Sequence, residues 1–220
     1  WALNVLNRVD VATAPSRTAA RILQENGLRV PVYPISCGVD PRRFFADPGI
    51  DRQVWRRRYG LDARKTIFLF VGRVDGEKRL DTLLHALSQM EREDVQLAIA
   101  GQGAALSQLQ ALAARLGLGA RVRFLGFVPN EDLPALLNSI DIFAMPSDAE
   151  LLSIATLEAM ACGRPILAAN ARALPELVSP GLNGYLFRPG DAEDAAQHMA
   201  LLADQPAKWA EMGTASARRA

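Results

Sequence analysis

Residues 144–168 read Ala144-Met-Pro-Ser-Asp-Ala-Glu-Leu-Leu-Ser-Ile-Ala-Thr-Leu-Glu-Ala-Met-Ala-Cys-Gly-Arg-Pro-Ile-Leu-Ala168. The pattern predicts the end of a strand, an acidic turn, a helix over 151–161 and a new strand, because Gly163 and Pro165 are typical of a helix end. Nearly all residues of that helix are apolar or small, which indicates a buried helix. Glu158 lies within it, and a buried carboxylate needs a partner or becomes neutral.

The spacing of two acidic residues in this stretch suggests a ligand. Glu150 and Glu158 are eight positions apart, which is about 12 Å along the axis if one helix includes both. A nucleotide diphosphate-sugar separates its sugar from its ribose by a comparable length. One carboxylate could therefore hold ribose hydroxyls while the other addresses the sugar, with backbone N–H groups of the helix N-terminus facing the phosphates. The alternative is a buried helix with one acid paired to a Lys or Arg.

The composition limits the classes of function. The chain has 220 residues, and 50% of them are hydrophobic, so a sizeable core is available. Lys and Arg number 25 against 24 Asp and Glu, so bulk electrostatic capture of nucleic acid or of an anionic membrane is not expected. Cys37 and Cys162 lack metal-ligand spacing and are expected to be reduced thiols of a cytoplasmic protein. No apolar run approaches the length of a membrane-spanning helix.

Short apolar strands alternate with amphipathic helices from Thr66 onward. Strands are predicted over 66–71, 95–100, 122–125, 142–145, 166–169 and 184–187. This alternation indicates an α/β fold, a Rossmann-like parallel sheet with helices on both faces. Ligands of such sheets bind at the carboxyl ends of the strands, so the loops after Val71, Ala100, Leu125 and Met145 should share one crevice.

The two ends of the chain have weaker patterns. Residues 1–40 should contain a short strand after Asp10, a helix over 17–26 and extended chain over 30–35. This leading segment has too few apolar residues for a core of its own and is expected to lean on the rest of the chain. The last helix is predicted over 208–212.

A basic and aromatic stretch covers residues 51–59. Contact with a membrane or a nucleic acid is one interpretation of this composition. The favoured interpretation is a surface helix in which Trp55 and Tyr59 pack inward and the arginines are solvated.

Two cations follow the first strand of the alternation. Arg73 and Lys78 lie on one loop after Gly72 and suit a diphosphate, because a planar fork can hold two oxygens beside a point charge. The alternative is a solvated loop in which the two cations pair with Asp75 and Glu77.

The loops after the next two strands carry weaker patterns. Gly101-Gln-Gly103 follows a strand and invites a dinucleotide-binding interpretation, but Leu106 holds the position of the third glycine of that motif. Phe127 and Val128 follow the third strand, where backbone groups can meet the edge of a planar base, or Phe127 can simply pack within a turn. No metal-ligand or nucleophilic arrangement is legible in the sequence, so no metal or other cofactor is expected.

Several of these motifs coincide in order along the chain. They are Val71-Gly-Arg-Val-Asp-Gly-Glu-Lys78, Ile99-Ala-Gly-Gln-Gly103, Phe124-Leu-Gly-Phe-Val-Pro129, Ser147-Asp-Ala-Glu150, Leu157-Glu-Ala-Met-Ala-Cys-Gly-Arg-Pro165, Leu174-Pro-Glu-Leu-Val178 and Asn183-Gly-Tyr-Leu-Phe187. The ordered set resembles the family 4 (group 1) retaining glycosyltransferases of the GT-B fold. The resemblance implies that residues 1–39 are the tail of the acceptor domain with the interdomain hinge, and that residues 40–220 are the C-terminal domain that binds a UDP- or GDP-linked sugar.

The resemblance also implies a role for each candidate site residue. Glu150 would lie near the transferred sugar, Arg73 and Lys78 would neutralise the leaving diphosphate, and these three are the catalytic candidates. Glu158 would hold the ribose. The other donor-binding candidates are Gly72 and Gly101, Phe127 and Val128 on the base side, and Leu151, Leu152 and Ser153 at the turn whose amides face sugar and phosphate.

The chain departs from the family pattern in two respects. Leu151 stands where the family usually has Gly, and its side chain would narrow the sugar pocket. The rest of the acceptor domain and the C-terminal helix that crosses back to it are expected to be missing, so the fragment alone should be inactive. Any peripheral membrane association would come through that missing domain.

Three other functions remain open at this point. A sugar-nucleotide epimerase of the same architecture would keep the phosphate loop but need no acceptor. An NAD(P)-binding Rossmann domain is disfavoured by the missing third glycine. A pure interaction module would leave two acids and two cations at one rim unexplained.

Overall fold

The leading part of the chain is small and only partly packed. The computed structural model describes residues 2–220. This part contains α1 (Ala2–Leu6), β1 (Ala12–Ala14), α2 (Arg17–Glu25) and β2 (Val32–Pro34), followed by α3 (Arg52–Arg58). The two strands pair in parallel, and Ala14, Ala19 and Ala20 form a small apolar cluster between them and α2. The predicted strand, helix and extended chain are confirmed.

The larger part of the chain alternates strands and helices. Its strands are β3 (Thr66–Val71), β4 (Val95–Ala100), β5 (Val122–Gly126), β6 (Ile142–Met145), β7 (Ile166–Ala169) and β8 (Gly184–Phe187). Its helices are α4 (Leu80–Gln89), α5 (Leu106–Arg115), α6 (Leu133–Ser139), α7 (Ile154–Ala161), α8 (Leu174–Leu177), α9 (Ala192–Ala203) and α10 (Trp209–Arg219). The predicted strands are confirmed, with β5 one residue longer than expected.

The order of the strands decides where a ligand can bind. Within residues 2–220 the central sheet has six parallel strands in the order β5-β4-β3-β6-β7-β8. The chain builds outward from β3 in one direction and then returns to β6 to build in the other. Neighbouring loops at the carboxyl ends of β3 and β6 therefore diverge and leave a crevice, which is the usual ligand site of a doubly wound sheet. The predicted Rossmann-like fold is confirmed.

The sheet is covered on both faces. Ile67, Phe68, Leu69 and Phe70 of β3 are fully buried, as are all six residues of β4. Successive strand residues point to opposite faces, so continuous burial requires helices on both sides. The register of β3 against β4 is unbroken from Thr66 to Val71, which fixes the level at which both strands end.

The helix predicted over 151–161 is wrong at its start. The structure begins α7 at Ile154, and Ser153 is its N-cap, with the hydroxyl accepting a hydrogen bond from the Thr156 N–H at 3.3 Å. A serine with an extended backbone ends the loop and satisfies one free N–H of the first turn. Full burial of this helix is also wrong, since Ile154 is 51% exposed. The estimate of 12 Å between the two acids rested on one continuous helix and no longer applies.

The last helix is much longer than the predicted 208–212. It runs from Trp209 to Arg219 and packs against α7. A Cβ on Gly213 would lie 2.2 Å from the carbonyl oxygen of Gly163, so only glycine permits this approach of the two backbones. Gly213 lowers intrinsic helix propensity, which is why the sequence pattern alone placed the end too early.

The basic and aromatic stretch forms α3, but its arginines are not all solvated. Arg56 is buried, and its guanidinium donates to Asp141 Oδ2 at 2.8 Å. Arg58 lies over the Trp55 ring, 5.0 Å from the centroid, and bonds to Asp132. The helix is therefore held to the sheet by charged groups, which accounts for much of its basic composition without a membrane or nucleic acid.

The leading segment leans on the α/β unit as expected. The Glu176 carboxylate of α8 accepts hydrogen bonds from the backbone N–H groups of Arg17 and Thr18, at 3.0 and 2.8 Å. These groups belong to the first turn of α2, which has no acidic residue of its own. A carboxylate from another element therefore stabilises this helix N-terminus.

Candidate functional site

Backbone hydrogen bonds connect the loops that follow β3, β4 and β5. Gly72 N donates to Ala100 O at 3.0 Å, and Gly101 N donates to Gly126 O at 2.7 Å. Gly101 has φ +141°, and a Cβ there would lie 1.8 Å from Gly72 O. These glycines let three strand ends lie close together and leave room above them. The structure thus explains Gly101 as a close-approach position.

The cation of Lys78 and the carboxylate of Glu150 meet across the crevice. Lys78 Nζ lies 2.6 Å from Glu150 Oε1, and both side chains are largely buried, at 15% and 11% exposure. The two residues are 72 positions apart in sequence, on the loops after β3 and β6. The backbone of Glu150 is also fixed, because its carbonyl accepts from Ala173 N at 3.0 Å. The switch point of the sheet therefore holds a preformed, partly desolvated ion pair.

The second predicted cation, Arg73, is turned toward its own loop. Its guanidinium lies 2.9 Å from Asp75 Oδ2 and 3.0 Å from Glu77 Oε1, and the side chain is 72% exposed. This is the alternative pairing expected from the sequence. Exposed pairs of this kind are worth less than about 1 kcal/mol, so the guanidinium can leave them for a ligand at little cost.

Glu158 lies in α7, the helix that follows the loop of Glu150. It is half-buried, one helical turn after the exposed Ile154, and it forms no ion pair among residues 2–220. Burial raises the pKa of Glu158, and the charge of Arg43 opposes that rise. Such a carboxyl group can hydrogen-bond to hydroxyls that reach it from the crevice.

A cleft of about 300 Å³ opens beside the glycine loops. Gly72, Arg73 and Gly101 line it together with Phe127 and Val128. Phe127 is 69% exposed, so the interpretation in which it packs within a turn is wrong. An exposed aromatic ring at the rim of a cleft offers a face for a planar ligand, whereas Val128 is buried beneath it.

The turn before α7 carries the remaining predicted residues. Leu151 is 42% exposed, Leu152 is half-buried and Ser153 is buried. Since Ser153 is engaged as the N-cap, its side chain serves the helix, and the backbone N–H groups of the following turn are the groups available to a ligand.

One residue of this site was not predicted from the sequence. Arg79 has φ +48°, a left-handed conformation that is unusual for a residue with a Cβ. Its Nη1 lies 3.0 Å from Asp148 Oδ2, which ties the loop of Lys78 to the loop of Glu150. The only hint in the sequence was a third basic residue directly after Lys78, because a positive φ at a non-glycine leaves no pattern.

Three further findings concern the described part of the chain. In the described part of the chain, no group of three or more His, Cys, Asp and Glu side chains is placed to hold a metal ion. Across residues 2–220, no helix combines the length and the apolar character needed to cross a bilayer. Cys37 and Cys162 are both free thiols, the first exposed and the second buried.

Comparison with known proteins places this geometry in a family. The model of the family "Glycosyl transferases group 1" matches residues 51–219. The chain belongs to this family. The match includes every strand of the central sheet and all of the predicted site residues.

Named relatives agree with this assignment. The chain is 36% identical over 219 residues to a GDP-mannose-dependent alpha-(1-6)-phosphatidylinositol monomannoside mannosyltransferase of Mycolicibacterium smegmatis, covering 95% of this chain and 57% of that protein. It is 39% identical over 176 residues to a D-inositol 3-phosphate glycosyltransferase of Mycobacterium sp. (strain KMS), covering 77% and 39% respectively. The chain thus spans about half the length of the curated relatives it matches.

Solved structures show the same fold. HepE of Anabaena in complex with UDP superposes with a TM-score of 0.90 at 28% identity, covering 99% of this chain and 60% of that one. A complex of the same protein with UDP-glucose gives 0.89 at 29% identity, with coverage of 99% and 60%. Sucrose-phosphate synthase from Thermosynechococcus elongatus gives 0.87 at 25% identity, with coverage of 99% and 55%.

Proposed function

We propose that this chain is the donor-binding half of a retaining glycosyltransferase that uses a UDP- or GDP-linked sugar. The observation that carries the proposal is the Lys78–Glu150 pair at the switch point of the sheet, 2.6 Å apart and largely buried. An ammonium and a carboxylate at this point suit a ligand that is anionic at its diphosphate and rich in hydroxyls at its sugar. Family membership supports the same reading.

Lys78 would act on the leaving group. As the bond between the anomeric carbon and the diphosphate oxygen breaks, negative charge grows on that oxygen, and a fixed ammonium in a partly desolvated site stabilises it. Arg73 would exchange its exposed partners for the same diphosphate. The acceptor oxygen would attack from the face that the diphosphate leaves, giving its proton to the leaving phosphate, so the anomeric configuration is retained.

The acids and the cleft would position the donor. Glu150 would accept hydrogen bonds from hydroxyls of the sugar while remaining close to Lys78. Glu158 would bind hydroxyls of the ribose. The base would enter the cleft between the glycine loops and Phe127. Leu151, exposed beside Glu150, would limit the size of the sugar.

The relatives support both candidate bases. One named relative depends on GDP-mannose, and neighbouring structures contain UDP or UDP-glucose. We therefore propose UDP-linked and GDP-linked sugars as equally supported donors. No cofactor is assigned, since two cationic side chains can supply the charge stabilisation that a metal gives elsewhere.

The remainder of the enzyme would bind the acceptor. Residues 1–39 would be the tail of the acceptor domain and the hinge, and residues 40–220 the donor domain. Relatives named for phosphatidylinositol mannoside and for inositol 3-phosphate suggest an acceptor with a cyclitol or sugar hydroxyl. Peripheral membrane association would then depend on the acceptor domain.

Calorimetric titration of this chain with UDP and GDP tests the donor site. Wild type should bind at least one of them, and Lys78→Ala and Arg73→Ala should each weaken binding. Arg123→Ala is the matched control, because Arg123 is exposed near the opposite ends of the strands. Absence of binding to wild type, or equal affinity in all variants, would overturn the site assignment.

An epimerase of the same architecture is the second candidate carried from the sequence, and the named relatives give it no support. Incubating the full-length protein with a radiolabelled donor distinguishes the two. Transfer requires an acceptor and yields a glycoside, whereas an epimerase releases an isomerised sugar without one. NADH titration followed by fluorescence would reveal a dinucleotide-binding domain, which family membership disfavours.

A further inference from the structure

A second polar pocket lies at the opposite edge of the sheet from the candidate donor site. It has a volume of about 290 Å³, and Arg52, Asp141, Arg164 and Trp209 are among the residues that line it. Asp141 immediately precedes β6, and Arg164 lies just before β7. The pocket therefore opens where these strands begin, whereas the crevice of Lys78 and Glu150 opens where they end.

Two arginines bond to one carboxylate beside this pocket, and a third shares a backbone carbonyl with one of them. Arg56 Nη2 donates to Asp141 Oδ2 at 2.8 Å, and Arg52 bonds to the other carboxylate oxygen. Arg52 Nη2 and Arg164 Nη1 both donate to the carbonyl oxygen of Ile140, at 3.1 and 2.8 Å. Because they share that one acceptor, these two cationic nitrogens are at most about 6 Å apart.

The positive charge is only partly balanced. Asp141 cancels one of the three cations, and the carbonyls at the end of α6, which have no partner within the helix, supply roughly half a negative charge. The pKa of Arg164 is lowered to about 10, chiefly by burial and next by the charge of Arg52. The pocket therefore carries excess positive charge beside a guanidinium that burial has deprived of water.

Each of the two lining arginines keeps a free donor. Arg164 engages Nε and Nη1 with the carbonyls of Cys162 and Ile140, and Arg52 engages Nε and Nη2. Nη2 of Arg164 and Nη1 of Arg52 have no hydrogen-bond partner in the part of the chain that the structure describes. The Arg52 side chain is 44% exposed, so the pocket is open to solvent.

We propose that this pocket binds a small tetrahedral oxyanion of the phosphate class, free or as the head of a phosphomonoester. Two guanidinium groups that share a backbone carbonyl line one pocket with unused N–H donors, and planar guanidinium donors match phosphate oxygens better than a single ammonium would. The pocket volume leaves space beyond the phosphate for a substituent of a few carbon atoms. The site is separate from the candidate donor site and does not depend on the proposed transferase activity.

Calorimetric titration with inorganic phosphate and with glycerol 3-phosphate, at ionic strength matched with chloride, tests this proposal. The titrations use the Lys78→Ala chain, in which the donor site is weakened, so that the phosphate signal reports the second pocket. Saturable binding is expected. In that background Arg52→Gln should weaken it about tenfold or more, because a charge-assisted hydrogen bond and one unit of positive charge are lost.

Two further variants complete the test. Arg164→Gln should have an equal or larger effect, but it also removes donors to the end of α6, so thermal unfolding must first establish that it folds. Arg123→Gln, an exposed arginine that donates to a backbone carbonyl elsewhere, should leave phosphate affinity unchanged. Tighter binding of glycerol 3-phosphate than of phosphate would support the phosphomonoester. No saturable binding in the Lys78→Ala chain, or an unchanged affinity in Arg52→Gln, would overturn the proposal.

Discussion

Two ion pairs link the segments that flank β3 to the segments that flank β6, one pair at each edge of the sheet. The two pairs differ in their surroundings. At one edge Arg56 meets Asp141 at 2.8 Å, and at the other Lys78 meets Glu150 at 2.6 Å. Asp141 also accepts from the N–H of Ile67 and bonds to Arg52, and Arg56 donates to three backbone carbonyls. The Lys78 ammonium has carboxylates as its partners, with Glu77 at 3.6 Å as the second.

This difference separates a pair that is fully engaged within the fold from a pair at the candidate donor site. Both carboxylate oxygens of Asp141 are engaged within the fold, so neither can be exchanged without leaving the buried charge of Arg56 alone. The Lys78–Glu150 pair faces a crevice, and its hydrogen-bonding capacity is incompletely used. The N–O distances of the two pairs are similar and do not distinguish them. The number of further hydrogen-bond partners of each pair does.

The largest expected effect tests the Arg56–Asp141 pair. Asp141→Asn should lower the free energy of unfolding by about 3–5 kcal/mol, because it leaves the buried Arg56 without its counter-charge. Urea denaturation of the chain measures this change. Asp40→Asn, which removes a surface partner of Arg42, is the control and should leave stability nearly unchanged. A loss for Asp141→Asn as small as the control's would contradict the comparison.

The Lys78–Glu150 pair should contribute more to nucleotide binding than to stability. Lys78→Ala should weaken binding of UDP or GDP by about tenfold to a hundredfold, since a charge-assisted contact to the diphosphate is lost. Its cost in unfolding free energy should be smaller than that of Asp141→Asn, because the Glu150 side chain is more exposed than that of Asp141, at 11% against 5%, and has fewer partners within the fold. Calorimetry and urea denaturation on the same sample give both values. If stability falls as far as in Asp141→Asn, this pair is structural as well.

Glu158 adds a dependence on pH. Because burial raises its pKa above the usual 4.5, the folded chain binds this proton more tightly than the unfolded chain does. The resulting stabilisation is present below pH 4.5 and is lost as pH rises through the folded pKa. Glu158→Gln should therefore be more stable than wild type at neutral pH, with the difference shrinking in acid. Urea denaturation of wild type and of Glu158→Gln at neutral and at acidic pH measures this difference. Equal stability of the two proteins at both pH values would contradict the prediction.

The same substitution should weaken nucleotide binding if Glu158 holds the ribose. A gain in stability with a loss in affinity is the trade expected of a residue kept for binding. Glu193→Gln, on the surface of α9, provides a control that should change neither property.

The smallest expected effect concerns Arg79. Arg79→Gly relieves a left-handed backbone conformation but loses the contact with Asp148, so the two effects on stability should nearly cancel, to within about 1 kcal/mol. Nucleotide affinity should fall by only about twofold to fivefold, because the loop of Lys78 is then held less firmly. Asp148→Asn keeps the backbone and tests the contact alone. If affinity falls in neither variant, Arg79 does not position the site.

The sequence was sufficient for the elements whose signal is local. Buried strands such as 66–71 and 95–100 are apolar runs with one polar residue each, Thr66 and Gln96. Hydrophobic period and turn residues bounded most helices correctly. The start of α7 was misplaced because Leu151 and Leu152 are apolar loop residues, and only the capping geometry of Ser153 shows where the helix begins. The length of α10 depends on its packing against α7, which no local pattern records.

The sequence predicts which candidate residues share one edge of the sheet, but it does not predict their contacts. That Lys78 would meet Glu150 follows from the strand order, in which β3 and β6 are neighbours. Whether Arg73 turns toward the crevice or toward Asp75 and Glu77 depends on distances within the folded loop. The sequence left both alternatives open. The contacts of Arg52 and Arg56 with Asp141 were missed, because these arginines lie more than 80 positions from Asp141 along the chain.

The glycine at position 213 gives α7 a second role beyond that of a scaffold. With no side chain between Gly213 and the carbonyl of Gly163, the end of α7 and the middle of α10 touch backbone to backbone, and such a joint cannot be compressed. Because the end of α7 is held directly against α10, α10 cannot shift along its axis without moving α7, the helix that contains Glu158 and follows the loop of Glu150.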